Sequence, residues 1–122
     1  MANLTLDHVG VLTSDLATSV NFYQDVLGLT VGDRPPMPFD GAWLYDGNRP
    51  VLHLMCTDSV NDEHTGALDH VAFRAEGLDE YRRRLDGLGL KYHTNRIEEA
   101  SLTQLFVRDP QGITVELNFF GS

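Results

Sequence analysis

The sequence predicts an α+β fold made of two βαβββ modules related by pseudo-twofold symmetry, and three observations lead there. Leu6-Asp7-His8-Val9 returns letter for letter as Leu68-Asp69-His70-Val71; a segment that recurs only once, after a long interval, marks a duplicated supersecondary unit rather than a repeat array. Each copy is followed by apolar residues at helical spacing that end in Gly-Leu: Leu16, Val20, Tyr23 and Leu27 before Gly28-Leu29, then Leu78, Tyr81, Leu85 and Leu88 before Gly89-Leu90. That period belongs to a helix with one buried face, and the glycine supplies a left-handed cap. The halves also finish alike, with Asp46-Gly47 ahead of Val51-Leu52-His53-Leu54 and Asp109-Pro110-Gln111-Gly112 ahead of Thr114-Val115-Glu116-Leu117. Laid on each other, the halves align His8 with His70 and His53 with Glu116.

Residues 4–13 are predicted as a strand with alternating faces, His8, Gly10 and Leu12 on one side and Val9 and Val11 on the other. Ser14 is the expected N-cap of the first helix, with Asp15 in the first turn to meet the helix dipole, and the helix runs to about Leu27. A short strand at 30–33 follows. Residues 34–40 hold all but two of the 5 prolines and are read as an irregular loop. Strands at 42–45 and 51–57 form a hairpin around Asp46-Gly47-Asn48, with a loop longer than the minimal one. The polar stretch 58–67 is the expected linker. A strand at 69–74, a helix over about 78–88 and strands at 90–94, 103–108 and 113–120 complete the second half. Arg82, Arg83 and Arg84 fall on the solvated side of a helix whose buried stripe is Tyr81, Leu85 and Leu88.

At 122 residues the chain is long enough to bury a core without staples. It is expected to be a single domain, with module one at 4–57, the linker at 58–67 and module two at 68–120. No apolar run is long enough to span a bilayer and no signal-peptide pattern is present, so a cytoplasmic location is expected. The lone Cys56 belongs to neither a disulfide framework nor a thiolate zinc cluster. A net charge of -9 opposes phosphate backbones and anionic membranes, which sets both aside as partners.

Alternation decides what faces what. Beside each candidate ligand stand aliphatic or aromatic residues: Val9 and Val11, Leu52 and Leu54, Val71 and Phe73, Val115 and Leu117. Period-two geometry puts these on the face opposite His8, His53, His70 and Glu116. With helices over the aliphatic face, the three imidazoles and the carboxylate look inward, and the two modules are expected to form an open sheet around a metal cavity. Imidazole and carboxylate suit one divalent ion, Fe, Mn, Ni, Zn or Co. His8, His70 and Glu116 make a two-His-one-carboxylate set; His53 either closes a fourth position or stands off as a base.

Asp7-His8-Val9-Gly10, Phe22-Tyr23 with Val26-Leu27-Gly28-Leu29, Val51-Leu52-His53-Leu54, Asp69-His70-Val71-Ala72-Phe73, and Arg108-Asp109-Pro110-Gln111-Gly112 with Val115-Glu116-Leu117 together resemble the vicinal oxygen chelate superfamily. That is the glyoxalase, bleomycin-resistance and extradiol-dioxygenase group, and the likeness covers nearly the whole chain. The resemblance implies one metal held by His8, His53, His70 and Glu116, acting as a Lewis acid on a substrate with two neighbouring oxygens. It also implies a homodimer. His53 stands where Glu or Gln is commoner in the family. Glutathione-dependent glyoxalases carry Arg and Asn where this chain has Leu12 and Thr57; extradiol dioxygenases carry Tyr where it has Phe106. Fosfomycin-modifying members have Thr in the place of Gly10, and methylmalonyl-CoA epimerases a carboxylate base on the strand that here reads Ala42-Trp43-Leu44-Tyr45.

Several other side chains are expected to bind substrate. Arg74 lies two residues after His70 and so on its face, suited to a carboxylate or phenolate. Trp43, Tyr45 and Phe39 offer an aromatic wall, and either Gln104 with Phe106 or Leu105 with Val107 lines the cavity. Tyr92 and His93 are candidate acids or bases. The expected function is that of a metal-dependent glyoxalase-like enzyme, a lyase or isomerase. An extradiol-type dioxygenase or an epimerase of the same superfamily is the alternative, and a metal-free sequestering protein of the drug-resistance kind is the alternative from another class.

Overall fold

The structure, a computed structural model, describes residues 3, 6–58, 60, 68 and 70–122. The chain divides into two compact units, Met1–Val60 and Asn61–Ser122. Apart from residues 58 and 60, the expected linker at 58–67 falls outside the described residues, as does Asp69 of the second repeat.

In the first unit β1 (Val9–Thr13) leads into α1 (Leu16–Leu27), followed by β2 (Thr30–Gly32), β3 (Gly41–Asp46) and β4 (Arg49–Cys56). Its sheet runs β1-β4-β3-β2, with β1 parallel to β4 and the other pairs antiparallel. In the second unit β5 (His70–Arg74), α2 (Leu78–Gly87), β6 (Tyr92–Ile97), β7 (Leu102–Arg108) and β8 (Thr114–Phe120) repeat the plan in the order β5-β8-β7-β6. Each unit is thus a βαβββ module with one four-stranded mixed sheet, as the duplicated pattern predicts. A 3₁₀ turn at Glu98–Ala100, which the periodicity does not predict, joins β6 to β7.

Alternation along the strands holds. Leu52 and Leu54 of β4 are fully buried beside Ala42 and Leu44 of β3, and Leu105, Val107, Val115, Leu117 and Phe119 fill the second core. α1 lies along β2, β3 and β4, while Tyr81 of α2 meets Phe119 edge-on at 5.5 Å. Each fully buried leucine stabilises its unit by roughly 1.5–3 kcal/mol relative to leaving it in water. This burial fixes strand register, because a one-residue slip would turn the leucines outward.

Several local expectations are corrected. The first strand begins at Val9, and the N-cap of α1 is Asp15, whose carboxylate accepts from the Thr18 N–H. Thr13 explains the shift: its hydroxyl accepts from the Asp15 N–H and bonds the buried Ser19 hydroxyl at 2.8 Å, carrying the turn one residue past Ser14. The buried stripe of α1 is Ser19, Phe22, Tyr23 and Val26, so Leu16, Val20 and Leu27 are only half-buried. In α2 Leu85 is buried but Leu88 is 43% exposed, being the C-cap where the chain leaves the helix. Both helices hand over to a left-handed glycine, Gly28 (φ 72°) and Gly89 (φ 69°), the conformation a side chain disfavours. The hairpin loop is the minimal Gly47-Asn48, with Asp46 paired to Arg49. The arginines of α2 pair along the helix, Arg82 with Asp79 and Arg84 with Glu80, and Arg83 is exposed.

Candidate functional site

The two modules place their candidate ligands at the same point of the same pattern. Gly10 of β1 pairs with His53 of β4, and His53 with Trp43 of β3. Ala72 of β5 pairs with Glu116 of β8, and Glu116 with Phe106 of β7. His8 and His70 each lie two residues before the glycine or alanine of that row. Duplication has therefore preserved register as well as sequence.

In the first unit the rings form a stack. His8 lies on His53 with centroids 3.8 Å apart and planes 11° from parallel, and His53 lies on Trp43 at 3.9 Å and 8°. His8 Nδ1 is 2.6 Å from the Asp7 carboxylate, and this bond holds the Asp7 carboxyl below the usual carboxylate range. With Nδ1–H committed to Asp7, the free lone pair of His8 is on Nε2, the arrangement in which a carboxylate orients a ligating imidazole. His53 Nε2 lies 3.1 Å from the Pro50 carbonyl, to which it donates, leaving Nδ1 as its acceptor. Burial between two rings, and then the neighbouring His8, lower the His53 pKa. His53 is accordingly the neutral, lone-pair-bearing form at pH 7.

In the second unit a carboxylate is clamped. Glu116 is buried, its Oε2 accepting from the Asn118 amide at 2.8 Å and the Gln104 amide at 3.2 Å. Gln104 also donates to Asn118 Oδ1, and its own oxygen accepts from Asn95 at 3.0 Å. The other oxygen, Oε1, faces His70 Nε2 at 3.6 Å. Two ligands bound to one ion at about 2.1 Å and separated by about 90–120° stand roughly 3.0–3.6 Å apart. The pair fits a shared divalent ion by spacing and by donor chemistry. Among the described residues no group of three or more His, Cys, Asp or Glu side chains is gathered closely enough to hold a metal by itself; the second unit presents a pair at ligand spacing, and the first a face-to-face stack of two imidazoles.

The remaining candidates separate clearly. Gln104 and Phe106 lie on the Glu116 face, whereas Leu105 and Val107 are buried in the core. His93 pairs with Phe106, ring centroids 6.0 Å apart, and shares that face. Tyr92 is turned the other way and donates to Asp86 at 3.0 Å, a bond that raises its pKa and keeps the phenol protonated. Arg74 sits over the Phe120 ring at 4.4 Å. Tyr45 is tied by its hydroxyl to the Asp33 carbonyl, and Phe39 packs under Arg34. Sequence reasoning missed Asn118, Asn95 and the role of Asp7. Asn118 carried a usable signal, being two residues past Glu116 on the same strand and hence on the same face.

A recess of about 480 Å³ opens on the second unit beside this face, lined by Leu90, Lys91, His93, Phe106, Arg108 and Thr114 among others. No helix of the described residues is long and apolar enough to cross a membrane.

Residues 5–117 match the model of the Glyoxalase/Bleomycin resistance protein/Dioxygenase superfamily. A protein of Arabidopsis thaliana, Glyoxylase I 4, is 32% identical over 125 residues, covering 93% of this chain and 69% of its own. The solved lactoylglutathione lyase of Agrobacterium tumefaciens superposes with a TM-score of 0.71 at 22% identity, covering 97% of this chain and 94% of that one. A fosfomycin resistance protein, FosX, of Listeria monocytogenes, complexed with Mn(II) and 1S,2S-dihydroxypropylphosphonic acid, superposes with a TM-score of 0.77 at 18% identity, covering 98% and 93%. At these identities the solved structures establish a common fold.

Proposed function

Because the chain belongs to the Glyoxalase/Bleomycin resistance protein/Dioxygenase superfamily, we propose that it is a divalent-metal-dependent lyase or isomerase of glyoxalase type, acting on a small substrate with two neighbouring oxygens. We assign His8, His53, His70 and Glu116 as the ligand set. The observation that carries this reading is the common register: His53 opposite Gly10 and Glu116 opposite Ala72, each with a histidine two residues earlier on the parallel partner segment. The 32% identity to a protein named a glyoxylase supports the reaction type.

Bound by these donors, a divalent ion supplies Lewis acidity that stabilises negative charge developing on the substrate oxygens. The rest is the work of the chain itself. Asp7 holds the His8 ring with Nε2 free, and the two amides hold Glu116 with Oε1 turned to His70. Such supporting bonds fix ligand orientation before substrate arrives. Neutral His53 completes the ligand set with the lone pair that its bond to the Pro50 carbonyl leaves on Nδ1. Trp43, stacked on His53, limits how that ring turns.

Protein loaded in turn with Mn, Fe, Co, Ni and Zn salts is expected to isomerise a methylglyoxal hemithioacetal and to consume no oxygen with catechols. Oxygen uptake with catechols would replace this reaction type by ring cleavage. Ligand binding by metal-free protein, with no turnover on either substrate, would replace it by sequestration.

A further inference from the structure

The recess on the second unit has a volume of about 480 Å³, within the range of roughly 300–1,000 Å³ typical of small-molecule sites. Two cations, Lys91 and Arg108, join the apolar Leu90 and Phe106 in its lining, and no carboxylate does. This is unusual in a chain of net charge -9, whose sequence contains no other lysine. Among the described residues, neither Lys91 nor Arg108 enters an ion pair. Three acids adjoin the lining residues, and all are engaged: Asp86 accepts from Tyr92, Asp109 Oδ1 accepts from the Gln111 and Ile113 N–H groups, and Glu116, opposite Phe106, accepts from the Gln104 and Asn118 amides.

Register ties the recess to the candidate ligands of the same unit. His93 pairs with Phe106 and Phe106 with Glu116; Arg108 pairs with Thr114 and Thr114 with His70. Two strand spacings, about 10 Å, therefore separate the backbones of His93 and Arg108 from those of the ligands. A small organic acid, met by protein side chains at both ends, can span that separation.

We infer that the Lys91–Arg108 recess is the subsite for an oxyanion group of the substrate, a carboxylate or a phosphate, with Phe106 as the wall between it and the His70–Glu116 pair. The substrate class is then an acid anion with neighbouring oxygens at one end. This rests on the proposed function for the identity of the reacting end, but anion capture itself is testable without metal.

Benzoate, phenyl phosphate and neutral benzyl alcohol are titrated into the metal-free full chain, followed by the amide resonances of His93 and Thr114. Both anions are expected to bind and benzyl alcohol to bind at least tenfold more weakly; the tighter of the two anions identifies the group. Lys91→Gln and Arg108→Gln are each expected to weaken binding by about three- to tenfold, the size of a partly exposed charged hydrogen bond, and the double variant to abolish it. Arg83→Gln, on the exposed side of α2, leaves it unchanged. Benzyl alcohol binding as tightly as benzoate, or wild-type affinity in the double variant, would overturn the assignment. Zinc uptake is measured in parallel on every variant. Anion binding by a wild-type chain that takes up no zinc would sink the proposed enzyme while leaving the anion site standing; zinc uptake without anion binding would do the reverse.

Discussion

Glu116→Gln is expected to lower the affinity for a divalent ion by more than about a hundredfold and to remove turnover with it. The substitution keeps the size of the side chain and deletes its charge, so the loss reports on the donor itself. Supporting residues around metal ligands typically cost 10–100-fold when removed, and a charged ligand exceeds them. A further penalty follows from the surroundings. Gln104 and Asn118 both donate to Oε2, so an amide placed there either keeps its oxygen on the two donors and turns an NH2 without a lone pair toward the ion, or sets N–H against N–H. Titration calorimetry with Zn or Mn reads the affinity, and circular dichroism checks that the chain keeps its secondary-structure content. Unchanged affinity would remove Glu116 from the ligand set.

Replacing both amides, Gln104→Leu with Asn118→Leu, is expected to reduce metal affinity by about 10–100-fold while Glu116 is kept. The physical cause is orientation. With Oε2 held by two N–H groups, the carboxylate presents Oε1 to His70 at 3.6 Å; without them it turns freely, and ordering it is left to the ion. Asn95→Leu touches only the Gln104 oxygen and is expected to cost less than threefold, as an indirect contact. A double variant that unfolds at the same denaturant concentration as the wild type yet binds metal weakly separates positioning from stability. Wild-type affinity in both the double variant and Asn95→Leu would show that the clamp plays no part.

Much of the fold was legible because its signals are local. The repeated Leu-Asp-His-Val and the helix ends at Gly28 and Gly89 mark the two modules, and leucines at alternate positions mark the buried faces. The same alternation put His53 and Glu116 on faces away from the cores, but left Gln104 with Phe106 and Leu105 with Val107 as alternatives that only the burial of the latter pair separates. What escaped depends on contacts between segments. The N-cap passed from Ser14 to Asp15 because Thr13 reaches across to the helix residue Ser19. Trp43 stacks on His53 because register shifts between Leu44 and Tyr45: Tyr45 pairs with Pro50, but Leu44 pairs with Leu52 and Trp43 with His53. An unshifted hairpin from Asp46–Arg49 would set Trp43 against Leu52, on the core side. No local pattern announces that irregularity. The amide chain from Asn95 through Gln104 to Asn118 likewise depends on how β6, β7 and β8 pair.

X-ray absorption at the zinc edge of fully loaded protein tests the ligand assignment most directly. One zinc per chain is expected, with a shell of imidazole nitrogens and one carboxylate oxygen at about 2.0–2.2 Å, and with an imidazole signal that falls when His8, His53 or His70 is replaced by Ala. Uptake well below one ion per chain, or a shell of water oxygens indifferent to all three replacements, would contradict the account.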